Sequence, residues 1–431
     1  MTKKKEDAEP EVRKKPKKDT VETPEPVTDF QDDGKTISFD VDTEKLNSAL
    51  TFINKHLKKS MLPVLENVHI TIENNTLRLR KTDLNLDIIA TIPCYEIKGD
   101  LYEFLVSSEK LQKIVNIASV DKLSFKITRK EVTIEEAWNT YVIAIGPDIN
   151  EYISPKIQEE FFKLDIPAEK LKQILTDSLI FVVSGSYADL RPALGGVCVQ
   201  LRKDDDNFYF VATDANSLYH NKISIGSNSF IDCSLILSAQ FVMALCSLSL
   251  TEGSAIIHVS GDPEDEHKKS KNVWIEHGKY NIKGQLIDAT YPAWDKIIPT
   301  NQPSLLTIDR GEFTNTIGKF LKVLEDPTKI LRLIINPTHS VLQSIMPDTN
   351  SKIDMKMNSK FEGELYTTID TERITTNVMG LNAMFVKNAA SVMTGKNMFI
   401  SMDSVNRAVI FRCDKPEDKN MFVLVMPLIL P

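Results

Sequence analysis

The sequence predicts an α+β fold made of three repeated domains, each a doubled βαβββ unit with antiparallel sheets and two helices. A short strand followed by an amphipathic helix occurs three times, and a second helix begins about 65 to 72 residues after each first one. Repetition at a regular interval is the sequence signature of a repeated architecture. Between the helices, apolar and polar residues alternate with turn residues at intervals, which is typical of antiparallel hairpins.

The first helix of each copy follows a short strand that begins at Phe39, Leu164 or Leu306. Its apolar residues recur at spacings of three, four and seven, which places them on the face that packs on a core. The predicted buried faces are Leu46, Leu50, Ile53 and Leu57 in the first copy, Leu171, Ile174, Leu175 and Leu179 in the second, and Phe313, Ile317, Phe320, Leu321 and Leu324 in the third.

The second helix of each copy lies within residues 105–118, 235–248 and 380–393. A residue suited to accept hydrogen bonds from the first helical N–H groups precedes each apolar stretch. We predict a serine cap in the first copy, Ser238 in the second and Asn382 in the third.

Three segments predict β-hairpins. Residues 69–83 alternate around an Asn-Asn pair, which is a signal for a tight turn. Residues 197–214 and 331–348 have the same pattern around longer polar turns. Together with the helices, these hairpins predict domains at 36–158, 159–300 and 301–431.

Residues 1–35 differ from the rest of the chain, because they alternate blocks of Lys and Glu and contain no aromatic residue before Phe30. Such a segment cannot bury enough apolar surface to offset its ordering entropy, so we expect a disordered tail. Its cluster of Arg13, Lys14, Lys15, Lys17 and Lys18 could contact nucleic acid, but a solvated tether is the simpler interpretation.

The charge balance limits the classes of function. Among the 431 residues, 52 are Lys or Arg and 60 are Asp or Glu, giving a net charge of -8. A globally basic nucleic-acid binder is therefore excluded, whereas a locally basic surface is not. No apolar run reaches the roughly 18–20 residues of a membrane helix, and the first residues lack a signal peptide. We expect a cytoplasmic protein without a membrane partner, and five reduced cysteines.

Catalytic and cofactor motifs are missing from the sequence. The seven histidines form no HExxH pattern, and the chain has no GxxxxGK[ST], GxGxxG or GxSxG motif. An acidic stretch at 262–267 could hold a metal ion, although a solvated hairpin tip explains it as well. We therefore predict a protein that is not an enzyme and has no cofactor or metal.

Five motifs, in order, resemble the bacterial DNA polymerase III beta subunit, the sliding clamp. The resemblance covers about residues 36–430. It rests on LPVLENVHI with KTDLNLDI (62–70 and 81–88), DLRPALGGVCVQL with FVATDANSLYH (189–201 and 210–220), YPAWDKIIP (291–299), MGLNAMFVKNA (379–389) and FVLVMPLILP (422–431).

The resemblance implies a head-to-tail homodimeric ring around double-stranded DNA, with helices lining the hole and sheets outside. Such a clamp tethers the replicative DNA polymerase and other proteins that carry a clamp-binding motif, and an ATP-dependent clamp loader places it on DNA. It would be associated with the nucleoid. An alternative stays open, namely a clamp-like repeat scaffold that binds protein partners without encircling DNA.

A ring that slides needs positive charge on its inner wall but no base readout, because base contacts would stop it. Surface lysines on any amphipathic helix are equally expected, so each candidate has this simpler explanation. On the helices, the candidates for contact with DNA are Lys55, Lys58, Lys59, Lys110, Lys113, Lys319 and Lys387. Lys170, Lys172 and Lys322 lie on the same helices. The resemblance adds Tyr187 and Arg191, which lie where the family places DNA-contacting loop residues.

The resemblance also implies a groove between the second and third domains that binds a partner peptide through apolar anchors. The matching positions are Leu194, Thr213, Asn216, Ser217, Leu218, Pro292, Lys296, Ile297, Asn382, Phe385, Val405, Val425, Met426, Pro427, Leu428 and Leu430. Some of these would serve equally well as ordinary core. Ala215, Asn216 and Ser217 stand where the family commonly has Gly, His and Arg, and Ile429 stands where Arg is common. The loss of two cations predicts a changed preference for acidic peptides.

Overall fold

The computed structural model describes residues 36–99, 102–153, 160–203, 205–225, 233–248, 250, 253–260, 272–346, 351–369 and 372–430. The predicted disordered tail and the acidic stretch at 262–267 lie outside these residues.

Within the described residues, six helices of eight or more residues match the six predicted ones. With one short additional helix, they are α1 (Thr43–His56), α2 (Ser108–Ile117), α3 (Ala168–Leu179), α4 (Ser186–Leu190), α5 (Ala239–Cys246), α6 (Arg310–Val323) and α7 (Ala383–Val392). Single 3₁₀ turns occur at Pro63–Glu66, Ile149–Glu151, Pro192–Gly195, Trp294–Ile297 and Pro416–Asp418.

The predicted apolar helix faces are confirmed. Leu46, Leu50 and Ile53 of α1 are fully buried, as are Leu171 of α3 and Ile317 of α6. Helices α1 and α6 end one residue before the last apolar residue of each predicted face, so Leu57 and Leu324 follow them as C-cap residues. Helices pack in the pairs α1–α2, α3–α5 and α6–α7, one for each predicted repeat.

The predicted caps of the second helices are confirmed as well. The Ser107 side chain accepts from the Lys110 N–H, and that of Ser238 accepts from the Phe241 N–H. Asn382 accepts from two N–H groups at the start of α7. Each cap satisfies backbone donors that the helix itself leaves unpaired.

The strands of the described residues are β1 (Ile37–Asp42), β2 (Asn67–Glu73), β3 (Thr76–Thr82), β4 (Leu86–Lys98), β5 (Tyr102–Ser107), β6 (Lys122–Ile127), β7 (Glu131–Glu136), β8 (Asn139–Ala144), β9 (Glu160–Pro167), β10 (Gly196–Leu201), β11 (Asn207–Thr213), β12 (Ser217–Ser224), β13 (Cys233–Ser238), β14 (Ser254–Ser260), β15 (Asn272–His277), β16 (Tyr280–Gln285), β17 (Ser304–Asp309), β18 (Ile330–Ile335), β19 (His339–Met346), β20 (Ser351–Asn358), β21 (Lys360–Glu362), β22 (Leu365–Ile369), β23 (Glu372–Thr376), β24 (Val378–Asn382), β25 (Asn397–Met402), β26 (Val409–Cys413) and β27 (Phe422–Val425).

Two large antiparallel sheets join neighbouring repeats. One follows the path β8-β7-β6-β1-β4-β16-β15-β14-β9 and also includes β2, β3 and β5. The other follows β13-β10-β11-β12-β27-β26-β25-β17-β21. The joining pairs are β4–β16 and β12–β27, so a strand of each repeat hydrogen-bonds to a strand of the next. Two smaller sheets, β20-β19-β18-β24 and the hairpin β22–β23, belong to the third repeat.

All three predicted hairpins are confirmed, as the pairs β2–β3, β10–β11 and β18–β19. In the first hairpin the turn residues Asn74 and Asn75 have φ of 49° and 60°. Both angles are positive, as a tight hairpin turn requires, and Asn tolerates that region better than most residues.

The apolar core continues through all three helix pairs, from Leu46 to Val425. A second cluster lies around Trp294 and includes Leu218, Ala408 and Phe422. Through this cluster, the segment that follows β16 packs on the sheet shared by the second and third repeats. The five cysteines are free, and no helix in the described part of the chain is both long and apolar enough to cross a membrane.

Candidate DNA-facing helices and partner groove

The helices carry positive charge although the whole chain is acidic. The six longer helices contain ten Lys or Arg residues and five Asp or Glu residues, a net charge of +5. The chain as a whole carries -8, so the remaining segments are strongly negative. Charge is thus divided between the helices and the rest of the molecule, which is what an anionic ligand along the helices would require.

Lys55, Lys58 and Lys59 are exposed at and just beyond the end of α1. The backbone of this segment is fixed, because the Lys58 N–H donates to an Asp83 carboxylate oxygen at 2.9 Å. Gln240 of α5 donates to the same oxygen at 2.8 Å. The two lysine side chains therefore extend into solvent from a rigid joint between the first and second repeats.

Tyr187 and Arg191 are the two predicted DNA contacts outside the longer helices. Tyr187 lies in the short helix α4 with 73% of its surface exposed, and Arg191 follows that helix and is also exposed. Gly185, which precedes α4, has a φ of 66°, so the chain turns sharply into the helix. Lys110, Lys113, Lys319 and Lys387 are exposed on their helices.

Two of the helix lysines are half-buried and paired instead. The Lys170 ammonium binds the Asp418 carboxylate at 3.0 Å, and Lys172 donates to the Leu248 carbonyl at 2.8 Å. Periodicity placed them beside Leu171 on a solvated face, but it could not show that α3 lies against other elements. Lys113 is also paired, with Glu109 one turn earlier.

The predicted partner groove is assembled around the end of β27. The Met426 N–H donates to the Asn216 carbonyl at 2.8 Å, and Ser217 lies opposite Val425 in the β12–β27 pair. Thr213 closes the same turn by donating to the Ser217 carbonyl at 2.6 Å. The structure thus brings the β11–β12 turn and the C-terminal segment together.

The C-terminal segment continues across β24. The Leu428 N–H donates to the Gly380 carbonyl at 2.8 Å, and the Leu430 side chain lies where a Cβ on Gly380 would be. Asn382 and Phe385 follow at the start of α7, where Phe385 is half-buried. Pro427, Leu428 and Leu430 are also half-buried, so they lie at the surface rather than in the core.

Several other predicted groove residues are buried. Leu218 belongs to the cluster around Trp294, Val425 belongs to the main core, and Leu194 is only 5% exposed in its 3₁₀ turn. Pro292, Lys296 and Ile297 are exposed next to Trp294. The accessible apolar surface therefore comes from residues such as Ile297 and Met426.

One neighbour of the groove was missed by the sequence analysis. The Val405 N–H donates at 2.9 Å to the carbonyl of Tyr366 in the hairpin β22–β23. Arg373 of this hairpin and Arg407 both bind the buried Asp403 carboxylate. The only available signal was length, because the segment from β20 to β24 is longer than its counterparts in the first two repeats.

His220 lies beside β27, in the pair that β12 forms with that strand. Burial lowers the pKa of His220 to about 4, although its contact with the Asn420 carbonyl acts in the opposite direction. Its ring stacks on Phe422 with centroids 4.4 Å apart. His220 is therefore uncharged at neutral pH and acts as an aromatic packing residue.

Comparison with known proteins finds similarity to sliding clamps. Residues 37–174 match the family model described as DNA polymerase III beta subunit, N-terminal domain. The beta sliding clamp of Bacillus subtilis is 19% identical over 401 residues, which cover 91% of this chain and 99% of that protein. The beta sliding clamp of Buchnera aphidicola is 22% identical and covers 86% of this chain and 94% of that protein.

Solved structures show the same fold. The sliding clamp of Pseudomonas aeruginosa, determined with bound griselimycin, has a TM-score of 0.79 at 17% identity and covers 92% of this chain and 100% of that one. The DNA polymerase III beta subunit of Thermotoga maritima has a TM-score of 0.75 at 17% identity, with the same coverage.

Proposed function

We propose that the chain is a member of the family of the bacterial DNA polymerase III beta subunit, a sliding clamp that encircles duplex DNA and tethers the replicative DNA polymerase. The observation that carries this proposal is the division of charge. Six helices with a net charge of +5 occur in a chain whose total is -8. Helices that line a hole would attract the phosphate backbone, while the remaining acidic surface would not.

Retention on DNA would be topological rather than chemical. Exposed, flexible lysines such as Lys58, Lys59 and Lys319 suit this task, because they can contact phosphates anywhere along the duplex without reading bases. Tyr187 and Arg191 would add contacts from the loop around α4. Tethering raises the effective concentration of a polymerase at its template, so the protein needs no catalytic group of its own.

Two features support closure of the ring by a second copy of the chain. In the described residues, β8 ends one large sheet and β20 ends the sheet of the third repeat, so both offer unpaired backbone groups. Exposed apolar side chains accompany each end: Ile117, Trp138 and Val142 beside β8, and Val323 and Ile345 beside β20. Head-to-tail pairing of these two ends in a homodimer would cover both sets and make a closed ring.

The groove at the end of β27 is the proposed docking site for the polymerase and for other proteins with a short apolar clamp-binding peptide. Half-buried Leu428 and Leu430 and exposed Met426 offer an adaptable apolar surface, and Asn216 supplies a polar group at its rim. Loading onto DNA would fall to an ATP-dependent clamp loader, and the protein would act at the nucleoid. The comparisons do not favour a scaffold that never encircles DNA.

Retention on circular and linear DNA tests the central proposal. Dilute protein would be mixed with nicked circular plasmid, concentrated to reassemble dimers, and passed through a gel-filtration column in high salt; the same plasmid cut once serves as the control. We expect a mass near twice 48.7 kDa by light scattering, and protein that stays with the circle but leaves the cut plasmid. Equal loss from both DNAs would contradict the proposal, because high salt removes electrostatic binding but not a closed ring.

A further inference from the structure

The junction between the first and second repeats is built from the same parts as the groove between the second and third. Each contains a turn that follows a Thr-Asp pair. Thr82 Oγ1 donates to the Leu86 carbonyl at 2.7 Å, and Thr213 Oγ1 donates to the Ser217 carbonyl at 2.6 Å. The two turns are thus closed by the same hydrogen bond.

The turns also share an unusual backbone conformation. Leu84 has a φ of 74° and Ala215 a φ of 77°, at the same position in each turn. Asp83 and Asp214 each accept from the N–H groups two and three residues ahead. A positive φ is uncommon for residues other than glycine. Its occurrence at matched positions therefore shows that the two turns share one backbone geometry.

The chain segment that crosses each turn is matched as well. The Gln285 N–H donates to the Asn85 carbonyl at 2.8 Å, as the Met426 N–H does to Asn216 at 2.8 Å. By this correspondence, residues 285–289 in the first junction take the place of 426–430 in the second.

Two residues further on, both segments bind the strand that leads into the following helix. The Ile287 N–H donates to Ile236 at 3.0 Å, and the Leu428 N–H donates to Gly380 at 2.8 Å.

A cavity of about 1110 Å³ lies at the first junction. Its apolar lining includes Leu84, Leu235, Leu286 and Ile287, and Leu84 is 43% exposed. We name this cavity the first-junction groove. Ala215 occupies the position of Leu84 in the other groove, so the first-junction groove has more apolar surface at this point.

A second cavity of about 400 Å³ adjoins the first-junction groove and shares Gln200, Ser234 and Tyr291 with it. Its lining includes Arg202, Lys203, Lys296 and Asp295. Asp295 pairs with Arg202 at 3.4 Å, which leaves the exposed Lys203 and Lys296 as an excess of positive charge.

The charges of the first-junction groove itself nearly balance. Asp87 is bound by Arg80 and lies opposite Lys283 in the floor, and Asp288 is exposed at the rim. Because the excess cations lie at one end only, an anionic segment would orient toward the adjoining cavity.

We propose that the first-junction groove is a second docking site for a linear peptide of a partner protein. The peptide would place an apolar anchor against Leu84 and Leu286 and acidic residues toward Lys203 and Lys296. This inference rests on the proposed function, because it assigns to one junction the role proposed for its structural counterpart. A chain with two such sites would hold two partners, or one partner at two points, with the avidity that linked sites give.

Matched variants at Leu84 and Ala215 test the inference. The probe is a fluorescein-labelled peptide of nine residues with Leu-Phe at its centre and Asp at both ends. Leu84→Asp and Ala215→Asp each place a carboxylate in one groove, and Asp tolerates a positive φ better than Leu or Ala does, so both variants should fold. Leu84→Asn controls for the added charge, and light scattering and thermal melting control for folding.

We expect the wild-type chain to bind two peptides in calorimetry. Leu84→Asp should weaken one site at least tenfold, and Ala215→Asp should weaken the other. Binding of one peptide that only Ala215→Asp removes would overturn the second site and leave the proposed partner groove standing. Binding that only Leu84→Asp removes would support the second site and contradict the partner groove. Unchanged binding in both variants, or none in the wild type, would overturn both.

Discussion

At the residue scale, the strongest candidates for DNA contact are Lys58 and Lys59, since the Lys58 backbone is anchored to Asp83 while both side chains are exposed. Replacing both with Glu changes the local charge by four units without removing a buried contact. We expect the rate of loading onto circular DNA to fall several-fold at physiological salt, with an unchanged melting temperature, because loading depends on attraction to the phosphates. The control is the same double reversal at Arg129 and Lys130 in the β6–β7 turn. Equal loading rates in the two variants would remove Lys58 and Lys59 from the DNA-facing set.

Asp177 leads to a prediction about how stability depends on pH. Burial raises its pKa to about 6, aided by the nearby Asp418 and opposed by hydrogen bonds from Gln173. A raised carboxyl pKa means that the folded state binds the proton more tightly, so this group costs stability as pH rises from about 4 to 6. Asp177→Asn should therefore raise the free energy of unfolding at pH 8 by up to about 3 kcal/mol, at roughly 1.4 kcal/mol per pKa unit, and raise the melting temperature with it.

Most of the advantage of Asp177→Asn should be lost at pH 4, where the wild-type carboxyl is protonated in the folded state and about half protonated in the unfolded chain. Thermal melts from pH 4 to 8 measure this dependence, and Asp189→Asn on the exposed face of α4 is the matched control. A shift of the same size at every pH would show that packing, and not ionisation, separates the variant from the wild type.

At the element scale, local sequence signals were enough to predict the helices. The caps Ser238 and Asn382 and the buried faces of α1, α3 and α6 follow from spacing and from the unpaired N–H groups at a helix start. Pairing between repeats was not predictable, because β4–β16 joins strands almost 200 residues apart and depends on tertiary packing. The pairing of Lys170 was not predictable for the same reason, because its partner Asp418 lies 248 residues away. The contact of the hairpin β22–β23 with Val405 also depends on tertiary packing.

The contact between β24 and the C-terminal segment can be tested at Gly380. A methyl group there would overlap the Leu428 carbonyl and the Leu430 side chain. Gly380→Ala should therefore displace the segment and weaken binding of the labelled peptide at the partner groove, as should replacement of Met426, Pro427 and Leu428 by Ala. Dimer mass should stay the same in both variants.

Gly318→Ala is the matched control for Gly380→Ala. Gly318 lies in α6, and a methyl group there meets no atom within 4 Å. This change should stabilise the helix by about 0.5–1 kcal/mol and leave peptide binding unchanged. Unaltered peptide affinity in Gly380→Ala would show that residues 428–430 do not form the groove wall.

At the scale of the whole molecule, one joining scheme is used more than once. The Gly146 N–H donates to Leu105 as the Ile287 and Leu428 N–H groups donate to their strands, so the segment after the last strand of every repeat returns to the strand before its second helix. Two of these returns follow β16 and β27, and each of these last strands pairs with a strand of the preceding repeat, β4 and β12 respectively. The third return follows β8, which ends its sheet within the described residues. A preceding repeat for β8 would have to come from another copy of the chain, which is the physical reason to expect a ring rather than a monomer.

The last prediction concerns the surface at β8 that such a second copy would cover. Trp138 is 99% exposed at the tip of the β7–β8 turn, so it buries almost no apolar surface in an isolated chain. An aromatic side chain that becomes buried at an interface is a common energetic hot spot, worth about 2 kcal/mol or more. Trp138→Ala should therefore raise the dimer dissociation constant at least tenfold while leaving the melting temperature of the dissociated chain unchanged. Light scattering across a dilution series measures the constant, and Leu190→Ala, an exposed apolar residue of α4, is the control. If Trp138→Ala and Leu190→Ala dissociate at the same concentration as the wild type, β8 is not the surface that closes the ring.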